Sequence, residues 1–186
     1  GRILLDSSCY FSGDVRRTLV PGDVRNVNGL STGQEQSYVF RVIPSAEQLR
    51  ATLVWTDPQT GLQVRCVAVE YADFPTVEWT LHFKNTGAAD TLILSDIQAV
   101  DLHLARRGQG EFVLNHHAGD NCSPDSYEPR RLTLAPKSEH RFAPAGGRPT
   151  SVGFPYFNIE WPGEGLIVAI GWPGQWAAQF TRDEGD

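Results

Sequence analysis

Carboxylates are the side chains of this sequence best suited to acid–base chemistry. The candidate pool for a catalytic pair contains Asp57, Asp73, Glu160 and Glu164, together with Glu70 and Glu78. Two carboxyl groups about 5–9.5 Å apart, one with a raised pKa, can hydrolyse a glycosidic bond. However, Asp57 and Asp73 open turns, where aspartate bonds the backbone two residues further on. Hydrolysis by this chain alone is therefore an alternative, because the sequence indicates no pair that must converge.

Aromatic and amide side chains form a second group with a chemical use. The candidates for ligand binding are Trp55, Tyr156, Asn158, Trp161, Trp172, Gln175 and Trp176. Aromatic rings stack on the apolar C–H faces of pyranose rings, while amides and charged groups bind the hydroxyls. Trp172 and Trp176 bracket a tight turn, so we expect one of them to contact a sugar or a protein. Trp79 alternates in phase with Val77, Leu81 and Phe83, which predicts a core position for its ring.

A third group contains the kinds of side chain that bind metal ions. Nitrogen, sulfur and oxygen donors lie within residues 115–125, at Asn115, His116, His117, Asp120, Cys122 and Asp125. Adjacent histidines on an extended chain point in opposite directions, so His116 and His117 cannot both bind one ion without a bend. We therefore expect no metal and no other cofactor, with one histidine packed inside and the other in solvent or hydrogen-bonded.

Several reaction classes have no signature here. The sequence contains no G-x-S-x-G elbow, no S-x-x-K and no glycine-rich phosphate loop, which disfavours serine hydrolysis and nucleotide chemistry. The three cysteines, Cys9, Cys66 and Cys122, allow one disulfide and require none. The sequence has no methionine, and we expect it to be a piece of a longer protein.

Composition limits the partners. The 186 residues carry 16 basic and 22 acidic side chains, a net charge of −6, so no diffuse cationic surface is available for nucleic acid or anionic lipid. The longest apolar stretch, residues 166–170, is far shorter than the ~20 residues that cross a bilayer. We expect neither a nucleic-acid nor a membrane partner, and the compartment stays open between cytoplasm and secretion.

Alternation of apolar and polar residues dominates from about residue 50 onward, as in residues 63–70 and 77–84. Such a pattern, with turns at regular intervals, predicts an all-β, two-sheet antiparallel β-sandwich. Further strands are predicted over 92–104, with a break near Ser95-Asp96, and over 111–115, 130–134, 139–142, 157–161, 166–171 and 175–182, with 157–161 and 166–171 as a hairpin. Residues 45–50 allow at most one short turn of helix.

The domain organisation predicted from these patterns is simple. Residues 1–40 form an irregular segment with edge strands, and residues 41–186 form the sandwich body of a single domain. Residues 116–129 and 143–154 are long loops, which in compact domains are usually functional or form interfaces.

Three ordered stretches resemble a known family. They run from Trp55-Thr56-Asp57-Pro58 to Tyr71, from Phe83 to Gly87 with Asp96-Ile97-Gln98-Ala99, and from Gly146-Gly147-Arg148-Pro149 through Pro155-Tyr156-Phe157-Asn158 to Trp172-Pro173-Gly174-Gln175-Trp176. Together they are similar to the N-terminal β-supersandwich domain of bacterial α-galactosidase-like enzymes of glycoside hydrolase family 36. The resemblance covers residues 50–183.

The resemblance implies a function that the spacing alone does not give. In that family the catalytic aspartates lie on a barrel that follows this domain, so the chain is expected to be a non-catalytic accessory domain of a carbohydrate-active enzyme. Its expected partners are carbohydrate and a catalytic barrel or sister subunit, with residues 116–129 and 147–161 facing them. The two alternatives are a self-standing glycoside hydrolase and a purely structural domain.

Overall fold

A computed structural model describes residues 2–5, 39–44, 48–106 and 110–184, the first two ranges as backbone strands. Every regular element in these ranges is a β-strand. The strands are β1 (Arg2–Leu5), β2 (Val39–Pro44), β3 (Gln48–Thr56), β4 (Leu62–Tyr71), β5 (Val77–Asn85), β6 (Val100–His103), β7 (Val113–His117), β8 (Pro129–Thr133), β9 (Glu139–Phe142), β10 (Tyr156–Trp161), β11 (Glu164–Ala169) and β12 (Ala178–Thr181). None of the described residues forms a helix that could cross a membrane.

All strand pairs are antiparallel, which confirms the predicted all-β class. The strands form three four-stranded sheets: sheet I with the order β6-β1-β12-β9, sheet II with β11-β10-β7-β8, and sheet III with β2-β3-β4-β5. The chain divides into two compact units, one of residues 1–7 and 98–186 and the other of residues 8–97. Sheets I and II belong to the first unit and sheet III to the second.

The core of the first unit lies where sheets I and II meet. The Phe157 ring on β10 lies 5.3 Å from Phe142 on β9 and 5.6 Å from Phe180 on β12, centroid to centroid. Phe180 and Leu114 are almost completely buried. Large side chains at alternate positions therefore fill the space between two sheets, the arrangement expected of a β-sandwich.

Sheet III forms the second unit from the most strongly alternating part of the sequence. On β5, Val77 and Trp79 are half-buried while Glu78 and Thr80 are exposed. The predicted phase is confirmed over residues 77–82, although Trp79 is half-buried rather than fully buried, and it is wrong at Phe83, which is exposed. β5 pairs with β4 alone among the described strands. This position at the edge of the sheet leaves the Trp79 ring partly accessible.

Two predicted elements differ in the structure. The short turn of helix over residues 45–50 is wrong at residues 48–50, which begin β3 and pair with β4; residues 45–47 lie outside the described residues. The strand predicted over 92–104 is reduced to Val100–His103. Leu92 and Ile93 are exposed, and Asp96 has a φ of 53°, a left-handed conformation that ends an extended run.

The hairpin predicted from residues 157–161 and 166–171 is confirmed as β10 and β11, with Trp161 opposite Glu164. Near the N-terminus, β1 lies between β6 and β12 in the interior of sheet I, whereas β2 lies at the edge of sheet III. The predicted irregular segment falls mostly on residues 6–38, which lie outside the described residues. The division into residues 1–40 and 41–186 therefore stays a prediction.

Candidate functional site

One face of sheet II is open to solvent. Along β10, Phe157 and Ile159 are buried between the sheets, so Tyr156, Asn158 and Glu160 point the other way. We call this side of the sheet the outer face. It comprises Val113, Asn115 and His117 of β7, Pro129, Arg131 and Thr133 of β8, Tyr156, Asn158 and Glu160 of β10, and Gly165, Ile167 and Ala169 of β11.

The strand register places two amides side by side at the centre of the outer face. Asn158 on β10 lies directly opposite Asn115 on β7, which in turn lies opposite Arg131 on β8. Directly opposed residues of antiparallel strands have Cβ atoms about 4.5–5.5 Å apart. The row thus presents hydrogen-bond donors and acceptors on one exposed surface, next to Ile167 of β11.

A shallow groove of about 580 Å³ lies at the β10–β11 end of the outer face. It is lined by Glu111, Val113, Glu160, Trp161, Pro162, Gly163, Glu164 and Gly165. Glu160 lies between Val113 and Gly165 in one cross-strand row. Because Gly165 has no side chain, the space beside Glu160 stays open.

The carboxylates of the groove are already engaged by donors of the chain. Arg131 Nη2 lies 3.0 Å from Glu160 Oε1, and the indole Nε1 of Trp161 donates to Glu164 Oε2 at 2.8 Å. Arg182 pairs with Glu111. The structure therefore brings the predicted residues Glu160, Trp161 and Glu164 together. It adds Glu111, which lies far away in sequence and which no local pattern could place there.

The opposite end of the outer face carries an aromatic cluster of His117, Tyr127, Phe154 and Tyr156. The Phe154 ring lies 5.5 Å from Tyr156 and 5.6 Å from Tyr127, with His117 at 6.4 Å. Tyr156 is 55% exposed and Tyr127 is also exposed. Two accessible phenol rings thus flank one aromatic ring at the start of β10.

The two tryptophans of the predicted turn have different environments. Trp172 is 61% exposed, whereas Trp176 is only 4% exposed. The Trp176 indole donates from Nε1 to the Pro149 carbonyl at 2.8 Å, and Gln175 Nε2 donates to the Pro144 carbonyl at 2.6 Å. Trp176 and Gln175 therefore attach the turn to the loop over residues 143–150. Of these three predicted ligand-binding residues, Trp176 is buried, Gln175 is exposed but bonded to the loop, and Trp172 is exposed.

The remaining predicted residues belong to the second unit. Trp55 is half-buried on β3, and Asp73 is exposed in the turn between β4 and β5. Asp57 is held in its own turn: the Thr60 hydroxyl and the Gln59 N–H donate to its carboxylate. These two hydrogen bonds lower the pKa of Asp57, and the bond from Thr60 has the larger effect. The Asp57 carboxyl group is therefore unsuitable as a general acid near neutral pH.

The adjacent histidines of β7 point to opposite sides, as the sequence predicts. His117 is exposed on the outer face and His116 is 4% exposed between the sheets. Within the described ranges, no three His, Cys, Asp or Glu side chains are placed to hold a metal ion. Of the candidate metal ligands, Asp120 stabilises the loop instead: its Oδ1 accepts from the Cys122 N–H at 2.9 Å.

Comparison with known proteins adds no relative: no family model, curated protein or solved structure matches this chain. The chemistry of the outer face is therefore what indicates a function.

Proposed function

We propose that this chain is a saccharide-binding β-sandwich domain without catalytic activity of its own, and that the outer face of sheet II is its binding surface. The observation that supports this most directly is the alternation along β10. Tyr156, Asn158 and Glu160, a stacking ring, an amide and a carboxylate, all point to the solvent side of one strand. The sequence alone marks Tyr156 and Asn158 as candidates for ligand binding and Glu160 as a candidate for catalysis.

These side chains match the chemistry of a sugar. A pyranose ring has apolar C–H faces that stack on an exposed phenol or indole, and hydroxyls that exchange hydrogen bonds with amides, carboxylates and guanidinium groups. The outer face offers Tyr156 for stacking, Asn115 and Asn158 for hydroxyls, and the Arg131–Glu160 pair as fixed donors and acceptors. Ligand-binding surfaces combine an apolar platform with a few placed polar groups in the same way.

The groove is less suited to hydrolysis. A glycosidase needs two carboxyl groups that face each other across the scissile bond and are both free to act on the substrate. Glu160 is paired with Arg131, and Glu111 with Arg182. The carboxylates of the groove are therefore proposed as hydrogen-bond acceptors, and the catalytic alternative is the outcome that an activity assay checks.

The proposed place of this domain in a larger enzyme depends on a resemblance. Residues 50–183 resemble the domain that precedes the barrel of α-galactosidase-like enzymes. On that basis the domain is proposed to be an accessory part of a bacterial carbohydrate-active enzyme, next to a catalytic barrel or sister subunit. The purely structural alternative differs in one respect: it requires no affinity for sugar.

Titration calorimetry of the purified chain with neutral galacto- and gluco-oligosaccharides tests the proposal. We expect binding that Tyr156→Ala and Asn158→Ala each weaken. Phe74→Ala is the matched control, because Phe74 is an exposed aromatic residue of the other unit. Absence of binding by every oligosaccharide would favour the structural role. Turnover of a chromogenic galactoside, abolished by Glu160→Gln, would favour the hydrolase.

A further inference from the structure

The outer face carries two separate binding features along one strand. The aromatic cluster lies at the Tyr156 end of β10, and the groove lies at the Trp161 end. An antiparallel strand rises about 3.4 Å per residue, so the five steps from Tyr156 to Trp161 correspond to about 17 Å. A single sugar ring is too short to reach both ends.

The surface between the two ends carries two amides and one exposed apolar side chain. Asn158 lies midway, with Asn115 on one side and Ile167 on the other. Two small residues flank Ile167 on the outer face of β11. Gly165 has no side chain, and Ala169 has only a methyl group. A ligand lying along β10 would therefore stack at Tyr156, bond to the amides in the middle and enter the groove beside Trp161.

The charge at the groove selects among oligosaccharides. Glu111, Glu160 and Glu164 all line it, and each accepts from a donor of the chain. Carboxylates held this way accept hydrogen bonds from hydroxyls. The cations of Arg131 and Arg182 offset Glu160 and Glu111, whereas Glu164 is held by the neutral Trp161 indole and repels the carboxylate of a uronic acid. The groove thus favours a sugar without acidic groups.

From these placements we infer that the ligand of the outer face is a linear, uncharged oligosaccharide that lies along β10 and occupies both the aromatic cluster and the groove. This inference rests on the proposed function and adds ligand length and charge to it.

A chain-length series tests the inference. Calorimetry with one neutral linear series, from the monosaccharide to the hexasaccharide, is expected to give at least about a tenfold gain in affinity between disaccharide and pentasaccharide, equivalent to ~1.4 kcal/mol. Tyr156→Ala is expected to abolish that gain, so that the variant binds disaccharide and pentasaccharide with equal affinity. Tyr156→Phe, which keeps the ring, is expected to retain it.

A second variant addresses the groove. Gly165→Val places a side chain beside Glu160, and there is room for its Cβ, which would lie 3.4 Å from the Ile159 carbonyl oxygen. We expect it to weaken disaccharide binding at least about tenfold with an unchanged melting temperature. Thr80→Val, at an exposed strand position of the other unit, is the matched control and is expected to bind normally.

The outcomes separate the two proposals. Equal affinity for disaccharide and pentasaccharide would overturn the extended ligand and leave saccharide binding in place. Equal affinity for an oligouronate of the same length would overturn the selection against charge. Failure of every saccharide to bind would remove the proposed function, and the inference with it.

Discussion

The imidazole rings of His116 on β7 and His140 on β9 lie 5.4 Å apart, centroid to centroid, between sheets I and II. His116 also stacks on Phe142 at 4.5 Å. His116 Nδ1 and His140 Nε2 are buried without a hydrogen-bond partner. The charged and titratable neighbours are Arg130, opposite His116 on β8, and His117. A proton on either ring is therefore unfavourable in the folded chain.

Acid is expected to destabilise the first unit through this pair. Burial, and then the proximity of His140 and Arg130, lowers the pKa of His116 from 6.5 to about 4; burial and then Arg130 lower that of His140. Above pH 6.5 the two histidines are largely unprotonated in both the folded and the unfolded chain. Their contribution to the free energy of unfolding is then fully present. Between pH 6.5 and about 4 the unfolded chain takes up protons that the folded chain does not, so stability falls.

The loss attributable to His116 is about 3 kcal/mol, at 1.36 kcal/mol per pKa unit. Urea unfolding at a series of pH values measures it. His116→Phe is expected to flatten the decline in stability between pH 6.5 and 4. His117→Gln, at the neighbouring exposed histidine, is expected to leave the decline unchanged. A decline of the same size in His116→Phe would show that other groups cause it.

Removal of the buried indole is expected to destabilise the chain strongly. Trp176 lies 5.7 Å from Phe142, ring to ring and perpendicular, and donates to the Pro149 carbonyl. Large-to-small changes of this kind cost about 3–5 kcal/mol, so Trp176→Ala should lower the melting temperature markedly. Trp172→Ala, at the exposed end of the same turn, should change it by no more than a few degrees. Similar melting temperatures for the two variants would contradict the buried position of Trp176.

Close backbone contact at Gly119 is expected to make that position intolerant of any side chain. A Cβ there would lie 2.2 Å from the Thr150 carbonyl oxygen and 2.5 Å from the Val152 nitrogen. The Gly119 N–H also donates to the Val152 carbonyl at 2.7 Å. Gly119→Ala must separate the two loops that hold the aromatic cluster, at about 1–3 kcal/mol.

Thermal unfolding and near-ultraviolet dichroism of Gly119→Ala would detect both the lost stability and the altered rings. Gly171→Ala is the matched control, because a Cβ at Gly171 meets no atom within 4 Å. A Gly119→Ala variant as stable as the control would show that the loops can separate without loss.

Local alternation could predict the strands and their faces but not the distances between sheets. The phase of β5 and the β10–β11 hairpin followed from period-two patterns and turn residues. The approach of His140 to His116 depends on the packing of sheet I against sheet II, and that of Glu111 to the groove depends on the pairing of β7 with β10. Trp176 shows the same limit: its neighbours in sequence are those of a turn, and its burial comes from the distant Phe142 ring and Pro149 carbonyl.

The Arg182–Glu111 pair is expected to respond unequally to loss of its two members. The Arg182 side chain is 2% exposed and that of Glu111 is 47% exposed. Arg182 also donates to the Leu134 carbonyl and lies 5.9 Å from the Phe112 ring. Removal of the carboxylate leaves a buried cation without its counter-ion, which costs about 3–5 kcal/mol. Removal of the cation leaves a carboxylate that water can reach.

Glu111→Gln is therefore expected to reduce the free energy of unfolding more than Arg182→Met does, although Arg182 is the more buried residue. The double variant should recover part of the stability lost in Glu111→Gln, because the unpaired charge is then gone. Urea unfolding of the three variants measures the coupling. A double variant whose loss equals the sum of the two single losses would show that the pair contributes no interaction energy, since independent sites are additive.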